Sequence, residues 1–232
     1  MKTKLFLLSL ALFSAVCAVG QPVGWNSPAN PVAIPITLPP KWSLIANPLY
    51  HNRGSTVADA VPDNTVGEVL KVVPNGTQLL KFDHATQEFL PRNVFHGGRW
   101  SDPQQTLAPG EGAFIFIPAR RPFTVTFTGN CQYGGSVFVP AGISLISSPD
   151  CGTINFAPLV PPPIPRFGWD SLSFDPQEAD VVYSFDNAEQ RFQIHTFRNG
   201  AWDSLPDIGV AESCFVQTTQ PRIIRYTGPV PF

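Results

Sequence analysis

Residues Val137–Asp150, VFVPAGISLISSPD, restate Ile36–Leu49, ITLPPKWSLIANPL. Pro39, Ser43, Leu44, Ile45 and Pro48 recur as Pro140, Ser144, Leu145, Ile146 and Pro149. Further matches follow in the same order. Phe82, Asp83, Gln87 and Phe89 return as Phe185, Asp186, Gln190 and Phe192, and Phe95, Gly98 and Trp100 as Phe197, Gly200 and Trp202. Glu111 and Phe114 return as Glu212 and Phe215, and Phe127-Thr128-Gly129 as Tyr226-Thr227-Gly228. The offset drifts only between 99 and 103 residues. Matches in one order with small drifts put the insertions in loops, so the chain is expected to fold as two copies of one unit.

What each copy is made of follows from its local pattern. Charged residues are 14% of the chain, well below the roughly 25% of an average domain, and there are 26 prolines. Helix surfaces are normally rich in Lys and Glu, so this composition favours short strands joined by turns. Phe123, Val125 and Phe127 alternate with threonines, as a strand with one buried face does. Ala113–Ile117 is apolar on both faces and should be a central strand. One helix is expected after Asn64, where Thr65 and Glu68 stand at capping-box spacing and Pro74-Asn75-Gly76 ends the pattern. The expected fold is all-β: two tandem pseudo-symmetric repeats forming sandwich-like or barrel-like lobes, with one short helix in the first.

The ends of the chain bear on compartment. Lys2 and Lys4 precede an apolar run from Leu5 to Val16 and then Ala18-Val19-Gly20, the layout of a secretory signal peptide cleaved near Gly20. That run falls short of the ~20 residues needed to span a bilayer, so no membrane span is expected. Losing Lys2 and Lys4 from 15 basic residues leaves 13 against 17 acidic ones, a net charge near −4 that makes no electrostatic case for nucleic acid. The boundaries read as a leader over 1–20, a Pro-rich extended arm over 21–35, and repeats over 36–130 and 131–232. An export route implies an oxidising compartment, where Cys131, Cys151 and Cys214 would give one disulfide and one thiol. Three pairings are possible; Cys131 with Cys151, which bracket the strand opening the second repeat, is the first choice, with Cys214 a buried thiol.

The copies diverge between their first strand and the Phe-Asp hairpin, where the second carries Pro161-Pro162-Pro163-Ile164-Pro165 and then Arg166-Phe167-Gly168-Trp169. A polyproline-type segment cannot be helical. The series WSLIANP, KFD, Trp100, APGEGAFI and TFTG resembles a family of secreted bacterial proteins of uncharacterised function built from two such repeats. The resemblance covers most of the mature chain, implies export and a β fold, and implies no activity. The second copy departs from it, with Val210-Ala211-Glu212 in place of the Pro-Gly-Glu turn.

Candidate chemistry is sparse. Glu111 and Glu212 occupy matched positions ahead of a buried strand, and paired carboxylates are the arrangement of glycoside hydrolases. The plainer reading has each accept backbone N–H groups from the loop opposite and hold a tight turn. Matched aromatics such as Trp100 and Trp202 read as core, whereas Trp25, Phe167 and Trp169 have no counterpart and are the candidate contact residues. The four histidines form no metal-ligand spacing, no nucleotide fingerprint occurs, and no cofactor or metal is expected. Asp175, Glu178 and Asp180 lie in what reads as a solvated loop. The expectation is a secreted, non-catalytic extracellular or cell-surface module that binds, with a glycan or surface polymer as the candidate partner, or builds structure. The alternatives are a glycoside hydrolase using the two glutamates, and a self-associating filament or matrix subunit whose arm donates a strand to a neighbour.

Overall fold

A computed structural model of the chain describes residues 32–53, 61–131, 136–149, 151–157 and 172–226. The leader, most of the arm with Trp25, and the Pro-rich loop with Phe167 and Trp169 lie outside the described residues. The first copy runs through β1 (Val32–Leu38), β2 (Lys41–Ala46), the short pair β3 (Asn52–Arg53) and β4 (Val61–Pro62), α1 (Val66–Val69), β5 (Gln78–Leu80), β6 (Phe82–Asp83), β7 (Glu88–Phe89), β8 (Asn93–His96), β9 (Arg99–Trp100), β10 (Gly112–Ile117) and β11 (Phe123–Gly129). The second has β12 (Ser136–Val139), β13 (Gly142–Ser147), β14 (Ile154–Asn155), β15 (Leu172–Ser173), β16 (Val181–Asp186), β17 (Arg191–Arg198), β18 (Ala201–Trp202), β19 (Ser213–Thr218) and β20 (Arg222–Tyr226).

The fold is all-β. Each copy builds one five-stranded sheet, ordered β2-β10-β5-β8-β9 in the first and β13-β19-β16-β17-β18 in the second, so matched strands take the same places. The two-residue connections His96-Gly97-Gly98-Arg99 and Arg198-Asn199-Gly200-Ala201 both place their central residues at positive φ, as tight hairpins with right-handed twist require. β1 pairs with β11 and β12 with β20, again at matched positions. β1 starts inside the expected arm, so Val32–Pro35 are engaged within their own chain. Lone Pro35 is tolerated there because β1 is an edge strand, bonded to β11 only.

Strand periodicity sorts the side chains into three cores. In β10, Ala113, Ile115 and Ile117 point to a first core shared with Leu38, Val125 and Phe127 of the β1–β11 pair. In β19, Cys214 and Val216 point to a second core with Val139, Phe156, Phe174 and Ile224. The alternate residues, Phe114 and Phe215, meet each other with Leu44, Trp42, Leu80, Phe82, Ile143, Leu145, Tyr183 and Phe185 in a third core between the five-stranded sheets. Because both faces of these sheets are buried, β10 is apolar throughout and β19 is apolar over its centre, Cys214–Val216. Trp100 and Trp202 each pack edge-on against the phenylalanine opposite, at 5.4 and 5.3 Å, and donate the indole N–H to a main-chain carbonyl, of Leu70 and Phe156.

α1 is a single turn without the expected capping box. The Thr65 hydroxyl donates to Asp63 Oδ1 at 2.7 Å, so it is not available to the helix, and no side chain caps the N-terminus. Among the described residues no helix is long and apolar enough to cross a membrane.

Candidate functional site

The functional candidates gather at the seam between the copies and at the turns beside it. Ala108-Pro109-Gly110-Glu111 closes with Glu111 N–H donating to Ala108 O at 2.9 Å, and Gly209-Val210-Ala211-Glu212 closes likewise at 3.2 Å. Gly110 takes φ +91° and Ala211 φ +60°, the third-residue geometry of a type II turn. In each turn the glutamate bends back over its own loop. Glu111 Oε2 accepts from Ala108 N–H and Glu212 Oε2 from Gly209 N–H, both at 2.9 Å. The donors belong to the glutamates' own loops, not the loops opposite, because a three-residue reach suits a side chain of this length. Glu111 also accepts from the Lys81 ammonium at 2.6 Å and from the Thr106 hydroxyl at 3.0 Å. Its carboxylate is therefore held by three donors of its own copy.

The second copy differs at this point in a way that opens the surface. Ser184 stands where the first copy has Lys81, and a cavity of about 150 Å³ lies beside it, lined by Asp186, Asn187, Gln193, Asp207 and Glu212 with Leu44 and Phe185. It is smaller than the roughly 300–1,000 Å³ of ordinary small-molecule sites. Asp186 itself closes a loop: the Glu189 N–H foremost, with the Ala188 N–H and the Gln193 amide, holds its carboxyl below the usual range against the opposing effect of desolvation. Asp83 closes the matching loop through Ala85 N–H and the Thr86 hydroxyl.

Ser184 Oγ lies 3.0 Å from His195 Nε2, and His195 Nδ1 lies 2.8 Å from Ser204 Oγ and 3.0 Å from Ser204 O. A hydroxyl, an imidazole and an orienting third group within hydrogen-bond reach form the outline of a nucleophile–base pair. The first copy supplies the plainer explanation. Asn93, at the position matching His195, donates from its side chain to Asp102 O at 2.6 Å, so both side chains tie their strand to the loop beyond the last hairpin. Both are buried, and their strand partners, Leu79 and Val182, are matched as well. The imidazole thus fills a structural place already present in the first copy. This pair was legible only as two departures between the copies.

The other candidates have structural surroundings. Cys131 and Cys151 are joined, with their Cα atoms 5.6 Å apart, and Cys214 is a buried free thiol whose ionisation is pushed up by burial and then by Glu212. Asp180, expected in a solvated loop, is fully buried: Arg222 grips it through two bonds of 2.6 and 2.9 Å and lies 5.3 Å from the Phe174 ring. Among the described residues no group of three or more His, Cys, Asp or Glu is placed to hold a metal ion.

At one open edge of the seam the aromatics reach the surface. Trp42 packs on Phe116 at 5.2 Å and on Phe114 at 5.9 Å, Phe114 meets Phe192 at 5.8 Å, and Phe192 meets Tyr183 at 6.5 Å. Phe192 is 43% and Ile194 59% exposed. Trp42, Phe116 and Tyr183 are matched by Ile143, Gln217 and Leu80, so the aromatic strip is not repeated between the copies. No protein-family model matches the chain, and comparison with curated proteins and with solved structures returns no match.

Proposed function

We propose that this chain is a secreted, non-catalytic module that binds a neutral glycan through the strip formed by Trp42, Phe116, Tyr183, Phe192 and Ile194. The observation that carries the reading is this strip itself: partly exposed rings set beside uncharged hydrogen-bonding groups. The Tyr183 hydroxyl donates to the Gln217 amide at 2.9 Å, and Gln217 is exposed. Rings offer flat apolar faces to the C–H side of a sugar, while amides and hydroxyls serve its hydroxyl groups. The contact residues expected from sequence, Trp25, Phe167 and Trp169, lie outside the described residues and are not needed for this surface. Export is supported by the basic, apolar and small-residue order of the first twenty residues and agrees with the Cys131–Cys151 disulfide. A glycan array probed with the mature chain tests the reading. Binding that disappears in Trp42→Ala and Phe192→Ala supports it, and an array without signal rejects it.

A further inference from the structure

The first copy contains an occupied version of the cavity beside Ser184. There the Lys81 ammonium reaches the Glu111 carboxylate at 2.6 Å and the main-chain carbonyl of Thr106 at 2.8 Å. In the second copy the matching acceptors are kept: Glu212 replaces Glu111, and Asp207 replaces Thr106 and adds a carboxylate of its own. What changed is the donor, because Ser184 is too short to follow the path of the Lys81 side chain. Among the described residues no lysine or arginine pairs with Glu212 or Asp207. The cavity occupies this place and is walled on its apolar side by Leu44 and Phe185, whose counterparts in the other copy are Leu145 and Phe82. Asn187, also on its wall, carries a buried side-chain carbonyl that has no hydrogen-bond partner among the described residues.

We propose that this cleft binds a lysine side chain of a partner protein, with the ammonium between Glu212 and the main-chain carbonyl of Asp207 and the methylenes along Leu44 and Phe185. The inference does not rest on the glycan reading, since it uses a different surface and a charged ligand. The chemistry suits a primary ammonium: donors on a compact head meet a carboxylate and a carbonyl, and the stem covers apolar wall. Tetraalkylammonium ions lack the N–H donors, and an amino sugar lacks the stem.

Nuclear magnetic resonance titration of the labelled mature chain with Nα-acetyl-lysine methylamide tests this, with glucosamine and tetramethylammonium as comparison ligands. The lysine derivative should produce saturable shifts centred on the amides of Ser184, Asp207 and Glu212, with a Kd on the order of 1 mM, as a single partly exposed contact allows. Glu212→Gln retains an oxygen for the Gly209 N–H but loses the charge, and should weaken binding by about tenfold or more. Ser184→Lys restores the first-copy lysine and should abolish binding while raising the thermal midpoint. If Ser184→Lys does not fold, the Glu212→Gln comparison decides alone. Absence of saturable shifts, equal binding of glucosamine or tetramethylammonium, or unchanged affinity in Glu212→Gln each overturns the proposal.

Discussion

Gln190 grips Trp42 through both of that residue's main-chain groups, accepting from its N–H at 3.0 Å and donating to its carbonyl at 2.9 Å. Gln87 does the same to Ile143, with both bonds at 2.9 Å. Gln87 and Gln190 are matched positions, as are Trp42 and Ile143, so each copy's hairpin closes on the other copy's edge strand. β2 and β13 are the outer strands of their sheets, and the glutamine amide serves each as a one-residue strand partner. Both glutamines end their hairpin loops at positive φ, +57° and +54°.

Replacing either glutamine with alanine removes three hydrogen bonds, two to the strand edge and one to a carbonyl of its own loop, Asn187 O for Gln190 and His84 O for Gln87. Urea denaturation should show a loss of about 1.5–4.5 kcal/mol for Gln190→Ala and a similar loss for Gln87→Ala, on the basis of about 0.5–1.5 kcal/mol per bond. Losses below about 0.3 kcal/mol in both variants would show that the clamps contribute nothing.

Gly112 lies against its own counterpart. A methyl group there would sit 2.7 Å from Ser213 Cβ and 2.8 Å from Leu145 Cγ, so Gly112→Ala must separate the two sheets. The expected cost is about 1–3 kcal/mol or more, as for other overpacked sites. Gly97→Ala, with nothing within 4 Å but φ at +61°, should cost only about 1–2 kcal/mol from backbone strain, which distinguishes crowding from conformation.

Asp180 and Arg222 form a buried pair, and removing one partner leaves the other charge without compensation. Arg222→Ala is expected to lose about 3–5 kcal/mol in thermal or urea unfolding. Because the pair links the loop before β16 to β20, hydrogen exchange should rise first in those two segments.

The two kinds of cysteine should behave oppositely. Reducing Cys131–Cys151, which are 20 residues apart, should lower stability by about 3 kcal/mol through the freed loop. Cys214 should be inert to a thiol reagent in the native state and react at the rate of unfolding, because its thiol is fully buried and its ionisation suppressed. Fast labelling of native protein would contradict its placement.

Strand alternation and the internal matches made much of this fold legible. Ala113–Ile117, apolar on both faces, is indeed flanked by β2 and β5 and buried on both sides. The seam was not legible, since nothing local distinguishes Phe114 and Phe215, which meet each other, from neighbours that face the separate cores. Gln87 and Gln190 were visible as matches, but their partners lie 56 and 148 residues away in the chain. The capping box failed for a related reason: a nearer acceptor, Asp63, took the Thr65 hydroxyl. The matched places of Glu111 and Glu212 ahead of a buried strand suggest a turn role, yet periodicity does not say that each bonds within its own loop. Departures between the copies, Lys81 against Ser184 and Trp42 against Ile143, mark both proposed sites.

The central claim is that the aromatic strip at the seam binds a glycan and that Glu111 and Glu212 do not cleave it. Incubating a glycan retained by the array with wild type and with the double variant Glu111→Gln/Glu212→Gln, and measuring both retention and new reducing ends, addresses it directly. The account predicts equal retention by both proteins and no reducing ends from either. Reducing ends released by wild type and absent with the double variant would contradict it.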